Sequence, residues 1–157
     1  MLSRIGVRTS NSSANAAFLE IIAGSKIRGF WLRSLEVING TAAAQTFGLG
    51  EPAAIGVGPT SPVPLIPVDT SLPAPTTEGT GTSNSHVTTA LAWGTTAPTV
   101  PASYLCRATF PATAGQRVSW DFSNEPIWVP SGSTLVLWGT GTNAANDVNI
   151  VVDEVPA

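Results

Sequence analysis

The chain has 157 residues, 43% of them hydrophobic and only 11% charged, with a net charge of -3. A chain of this length suits one domain that buries roughly two-thirds of its unfolded surface, and its charge content is far below the ~25% of ordinary soluble domains. The negative balance, with no Lys/Arg run, excludes nucleic acid as a main partner. One cysteine and one histidine exclude an intrachain disulfide and a multi-ligand zinc site.

Taken in order, residues 3–9 alternate Ile5 and Val7 with Arg4 and Arg8, which predicts a short strand. Residues 9–15 form a turn cluster. Strands over 18–23 and 27–39 follow. A helix over 16–38 is the rival, but Gly24, Gly29 and the β-branched residues favour strand. Asn39-Gly40 predicts a reversal, with 44–49 as the returning strand.

Residues 50–86 change character, with Pro52, Pro59, Pro62, Pro64, Pro67, Pro73 and Pro75 set among Thr, Ser and Gly. Proline removes the ladder donor and glycine raises the cost of ordering, so little regular structure is expected. Pro64, Leu65, Ile66 and Pro67 are apolar enough to dock as an extended arm along the protein or a neighbour. We read this as one insertion within a single domain spanning residues 1–157.

Beyond it, residues 86–93 alternate, with Val87, Thr89, Leu91 and Trp93 on one face. Residues 103–110 follow, with Tyr104, Cys106, Ala108 and Phe110 together, and then 118–122. In residues 125–138, Ile127–Val129 and Thr134–Trp138 flank Pro130-Ser131-Gly132, which predicts two strands joined as a hairpin by a type I turn over 129–132. Trp120, Trp128 and Trp138 are expected as core anchors. Residues 139–146 read as a loop and 148–155 as the closing strand. The whole predicts an all-β fold, a jelly-roll-like β-sandwich with a long Pro/Thr/Gly-rich insertion.

Charge is unevenly placed along the chain. Arg4, Arg8, Lys26, Arg28 and Arg33 lie in the first third, and Asp121, Glu125, Asp147, Asp153 and Glu154 in the last. Either strands from both ends interleave, or the molecule carries opposite charges at two ends. Residues 16–23 are interrupted by Glu20 and lack the uninterrupted apolar core of a secretory signal. No stretch reaches transmembrane length. A chain made in the cytoplasm is expected.

No catalytic or cofactor-binding constellation emerges. His86 lacks a nucleophile-elbow context. Asp153 and Glu154 point to opposite faces of a strand, so they cannot serve as a carboxylate pair, and Asp121 with Glu125 is better explained by solvation. Gly48-Leu49-Gly50 and Gly139-Thr140-Gly141 lack the strand–helix setting of phosphate loops. Cys106 reads as a small buried hydrophobe. Trp31 and Trp93 are candidates for a sugar-stacking platform, against the plainer assignment of all five tryptophans to the core.

Several segments together resemble small proteins of tailed bacteriophages and prophages. They are residues 46–54 (Thr-Phe-Gly-Leu-Gly-Glu-Pro-Ala-Ala), Ala92-Trp93-Gly94-Thr95 through Pro98, and Phe110-Pro111-Ala112-Thr113-Ala114-Gly115. The Val-Pro-Ser-Gly-Ser-Thr-Leu-Val-Leu-Trp run and the terminal Val-Val-Asp-Glu complete the set. Size, β content and a weakly charged surface are also similar to those of capsid decoration (cement) proteins. That resemblance implies a β-rich, often trimeric, non-enzymatic virion component on the capsid exterior, with the major capsid protein as partner and neither nucleic acid nor membrane bound. Arg4, Arg8, Lys26 and Arg28 are then the candidate capsid contacts, and Pro64–Pro67 the candidate arm. The alternative expectation is a carbohydrate-binding virion module of a fibre or receptor-binding tip.

Overall fold

Strict two-residue alternation builds the core. In the computed structural model, which describes residues 1–10, 15–60, 62–69, 71, 87–140 and 144–157, the last strand buries Val148, Ile150 and Val152 while Asn149 stays exposed. Among the described residues there are fourteen strands and no helix: β1 (Leu2–Arg8), β2 (Ala16–Ala23), β3 (Ile27–Asn39), β4 (Gln45–Gly50), β5 (Val57–Pro59), β6 (Val63–Pro64), β7 (Ile66–Pro67), β8 (Val87–Ala90), β9 (Trp93–Thr96), β10 (Cys106–Phe110), β11 (Arg117–Asp121), β12 (Ile127–Pro130), β13 (Thr134–Thr140) and β14 (Asn146–Pro156). His86, residues 76–85 and residues 11–13 lie outside the described residues.

The first sheet runs β11–β3–β14–β1–β7, with β12 also on β3; the second runs β10–β4–β13–β2–β8–β6. Without the short inserted strands they read β1–β14–β3–β11/β12 and β2–β13–β4–β10. Each strand of the first half pairs antiparallel with its counterpart from the second: β1 with β14, β2 with β13, β3 with β11 and β12, β4 with β10. Successive strands of this set cross from one sheet to the other, except at the hairpin's tip, where β4 and β10 share the second sheet, and at β11 and β12, which share the first. That is a jelly roll, a long hairpin rolled into a two-layer sandwich. Residues 51–105 are inserted at the hairpin's tip, between β4 and β10.

Between the sheets lie Leu19, Ile21, Phe30, Leu32, Leu35, Val37, Phe47, Leu49, Leu135, Leu137 and Ile150. A bulge opposite Leu137 and Trp138 makes Phe18 the extra residue of β2, and Phe18 meets Phe47 edge-on at 6.2 Å. At one end of the sandwich a buried amide cluster ties the sheets together. Gln45 Nε2 donates to Asn146 Oδ1 at 2.7 Å and to Asn39 Oδ1 at 3.1 Å, and Asn146 Nδ2 returns a bond to Gln45 Oε1 at 3.0 Å. Every polar atom taken from water there needs such a partner, and the geometric demand fixes how the layers meet.

The insertion is more ordered than its composition suggests, and it does two things. First, β6 pairs with β8 at the edge of the second sheet, and β7 pairs with β1 at the edge of the first. Leu65, between them, is fully buried, and its N–H donates to Val87 O at 3.0 Å. Residues 63–67 therefore strap one open side of the sandwich, changing sheets at Leu65. Second, β5 and β9 form a small two-stranded sheet over the outer face of the second large sheet. Beneath it sits Glu20, fully buried, with Oε2 accepting from Trp93 Nε1 at 2.6 Å and Oε1 from Gly56 N at 3.0 Å.

Four local expectations are corrected. β12 and β13 are not a hairpin: β12 pairs with β3, β13 with β2 and β4, so the turn between them carries the chain across the sandwich. That turn spans residues 130–133, with Ser133 N bonded to Pro130 O and Gly132 at φ +74°, the positive third-position φ of a type II turn rather than type I over 129–132. After Asn39, β4 likewise enters the opposite sheet instead of returning beside β3. Residues 86–93 are not one strand, because the chain breaks at Leu91 and β9 leaves for the lid.

The tryptophan assignment also changes. Trp120 packs partly buried against the core, 5.9 Å from Phe47, but Trp128 is 38% exposed and Trp138 lies on an outer face. Leu, Ile, Val and Phe fill the space between the layers. Register decides the tryptophans: Trp31 and Trp128 are paired opposite one another on the outer face of the first sheet, while Phe30 and Leu32 take the inward positions.

Candidate functional site

Pairing of β1 with β14 brings the two chain ends together, and with them the basic and acidic thirds. Arg8 reaches Asp147 at 3.1 Å, Arg33 reaches Asp153 at 2.9 Å, and the N-terminal ammonium reaches Asp153 at 3.1 Å. Arg117 pairs with Glu36 at 3.5 Å. The opposite charges therefore meet locally and do not polarise the molecule. Arg33 owes its place to a bulge, being the extra β3 residue opposite Val151 and Val152.

The Arg33 guanidinium, and then the N-terminal ammonium, hold the Asp153 carboxyl below the usual carboxylate range against a smaller opposing effect of burial. A lowered folded pKa stabilises the fold above the unfolded value and is lost as pH falls through the folded value. Asp153→Asn is therefore expected to lower the denaturation midpoint slightly at pH 7, with wild type and variant converging at acid pH as the folded carboxyl takes up its proton. The effect is small because the carboxylate is partly solvated. Urea titrations across that range measure it.

The candidate contacts do not form one patch. Arg8 lies level with Ile38 through Asp147, whereas Lys26 and Arg28 stand at the other end of β3, roughly ten residues or on the order of 30 Å away. Arg4 is different. It points outward from β1, directly opposite Ile66 of the arm. Within the arm, Leu65 and Pro67 are buried, Pro64 is half-buried and Ile66 is 55% exposed. Leu2 and Val68 join Ile66 as exposed aliphatic side chains, and Val68 N bonds Leu2 O at 2.9 Å. Arg4, Ile66, Val68, Asn149 and Val151 line a shallow groove of about 490 Å³ across β7, β1 and β14. Among the described residues no carboxylate pairs with Arg4.

Trp31 and Trp93 cannot form one platform. Trp31 faces out from the first sheet and packs against Trp128 with ring centres 4.7 Å apart and planes tilted by 50°. Trp93 covers the outer face of the second sheet, its indole N–H committed to Glu20. Asp153 points outward and Glu154 inward, as their adjacency requires. Cys106 is partly buried against the core, and burial pushes its thiol up to about 11. Among the described residues no three His, Cys, Asp or Glu side chains gather as metal ligands, and no helix is long and apolar enough to cross a membrane.

The strand order defines an all-β jelly-roll domain with one strapped side and one lidded face. Comparison with protein-family models, with curated proteins and with solved structures found no match.

Proposed function

We propose that this chain is a structural virion protein, a decoration or cement protein that binds the outer surface of a phage capsid and stabilises it. The observation that carries the reading is the meeting of Leu2, Arg4, Ile66 and Val68 on one solvent-facing strip, where three exposed aliphatic side chains flank a guanidinium that no carboxylate among the described residues pairs with. A strip of that composition suits a protein partner offering an apolar surface and a carboxylate, as the major capsid protein would. Repetition by symmetry multiplies weak contacts of this kind, and a trimeric assembly would present three strips together. Nothing in this role calls for a cofactor, a nucleic acid or a membrane.

Deleting the N-terminal residues is not a fair test, because β1 is an interior strand between β14 and β7. Substituting exposed side chains is. Ile66→Asp combined with Arg4→Glu is expected to cut occupancy on purified shells at least tenfold while leaving the unfolding midpoint within a few degrees. Full occupancy by the folded double variant, or absence of the wild-type protein from particles, would remove the reading.

A further inference from the structure

We infer that a cleft on the outer face of the second sheet binds a carboxylated sugar unit. The cleft lies across β10, β4 and β13, on the other layer from the docking strip, and the inference does not depend on that strip. At its base Gly48, buried beneath Tyr104 and Arg107, is paired with Arg107 on one side and with Trp138 on the other. A Cβ at Gly48 would stand 2.5 Å from Tyr104 Cδ1 and 2.9 Å from Arg107 Cγ, so the Tyr104 ring and the Arg107 stem lie directly over bare backbone. The cleft is half open to solvent and has a volume of about 340 Å³, at the small end of ligand pockets.

The walls supply complementary chemistry. Trp138 and Tyr104 offer aromatic surface to the apolar C–H face of a pyranose ring. Asn15 lines the rim with Thr46 and Thr140, whose hydroxyls already bond Thr109 and the Thr46 backbone and keep lone pairs for a sugar's hydroxyls. Asn15 is the one non-glycine residue with positive φ among those described, at +53°.

Arg107 sets the charge of the occupant. Its guanidinium stands 4.9 Å from the centre of the Tyr104 ring, and among the described residues no carboxylate pairs with it. Its planar fork of N–H donors matches a carboxylate. A nucleic acid fits poorly, since a single arginine on a chain of net charge -3 does little to neutralise a phosphate backbone.

The test uses the full chain and follows its indole and guanidinium resonances by NMR. Trigalacturonate, its methyl ester, sialyllactose and a dinucleotide are titrated to millimolar concentration. Saturable shifts are expected at Trp138 and Arg107 with trigalacturonate or sialyllactose, with the ester at least tenfold weaker. Arg107→Gln, at an exposed position, should abolish that preference and leave the spectrum folded. Silence toward both acidic sugars overturns the inference, as does equal binding of the ester, unchanged binding by Arg107→Gln, or tighter binding of the dinucleotide. None of these failures bears on occupancy of shells, which is measured on the other sheet's variants.

Discussion

Leu65→Ala is expected to destabilise the domain by about 3–5 kcal/mol, the range for a buried leucine whose cavity cannot collapse. Collapse is blocked here because the residues on either side are held in different sheets, β6 against β8 and β7 against β1. The backbone around Leu65 cannot move inward without breaking one pairing or the other. On a domain of this size the loss corresponds to roughly 10 °C in the thermal midpoint. Hydrogen exchange should locate the damage, with the Leu65 amide, bonded to Val87 O, and the Val68 amide, bonded to Leu2 O, losing protection first. A variant as stable as the parent would mean that the strap does not close the sandwich.

The second large effect is at Glu20. Its two carboxylate oxygens satisfy the Trp93 indole and the Gly56 amide, and among the described residues no cation pairs with it. Glu20→Ala removes both acceptors and opens a gap, an expected cost of about 2–4 kcal/mol from two buried donors left unbonded. Glu20→Gln is more telling. Its shape is nearly the same, but it offers one acceptor oxygen to two donors and turns an NH₂ group toward the other. It should recover only part of the loss, about 1–2 kcal/mol remaining. Gly56→Ala attacks the same contact from above, because a Cβ there would lie 2.2 Å from Trp93 Nε1. Chemical denaturation of all three, with Trp93 resonances as the local probe, checks this. A fully stable Glu20→Ala would show that the lid is held by something else.

The longer strands outside the insertion were legible from alternation, Ile27–Asn39 to its ends. Which face of Thr134–Trp138 turns inward was not, since Leu135 and Leu137 pack in the core and Trp138 faces out. What local pattern cannot carry is the partner of a strand. Val129-Pro130-Ser131-Gly132 and Asn39-Gly40 have the chemistry of reversal, and reversal occurs at both. Whether the chain then pairs with the strand just left or crosses to the facing sheet is decided by contacts far away in sequence.

The tryptophans misled for a related reason. Apolar area favours burial, but alternation places Trp31 opposite in face to the buried Phe30 and Leu32, and the register pairs it with Trp128 on the outside. Two clues to polar positions were present and under-used. Glu20 is a lone acid inside an otherwise apolar eight-residue strand, and such a residue predicts a specific buried partner. Gln45 opens β4 in the same way. By contrast, nothing local marks the cleft of Tyr104, Arg107 and Trp138, since only the register across Gly48 brings its walls together.

Because the last strand lies between the first and the third, the fold has a consequence for how the protein is made. β1 and β3 are made well before the partner that joins them, which lies more than 100 residues further along the chain. Until β14 pairs, their backbone donors and acceptors stand open to any passing polypeptide. Closure is consequently a slow, nonlocal step, and the chain before it is the form most in need of a chaperone.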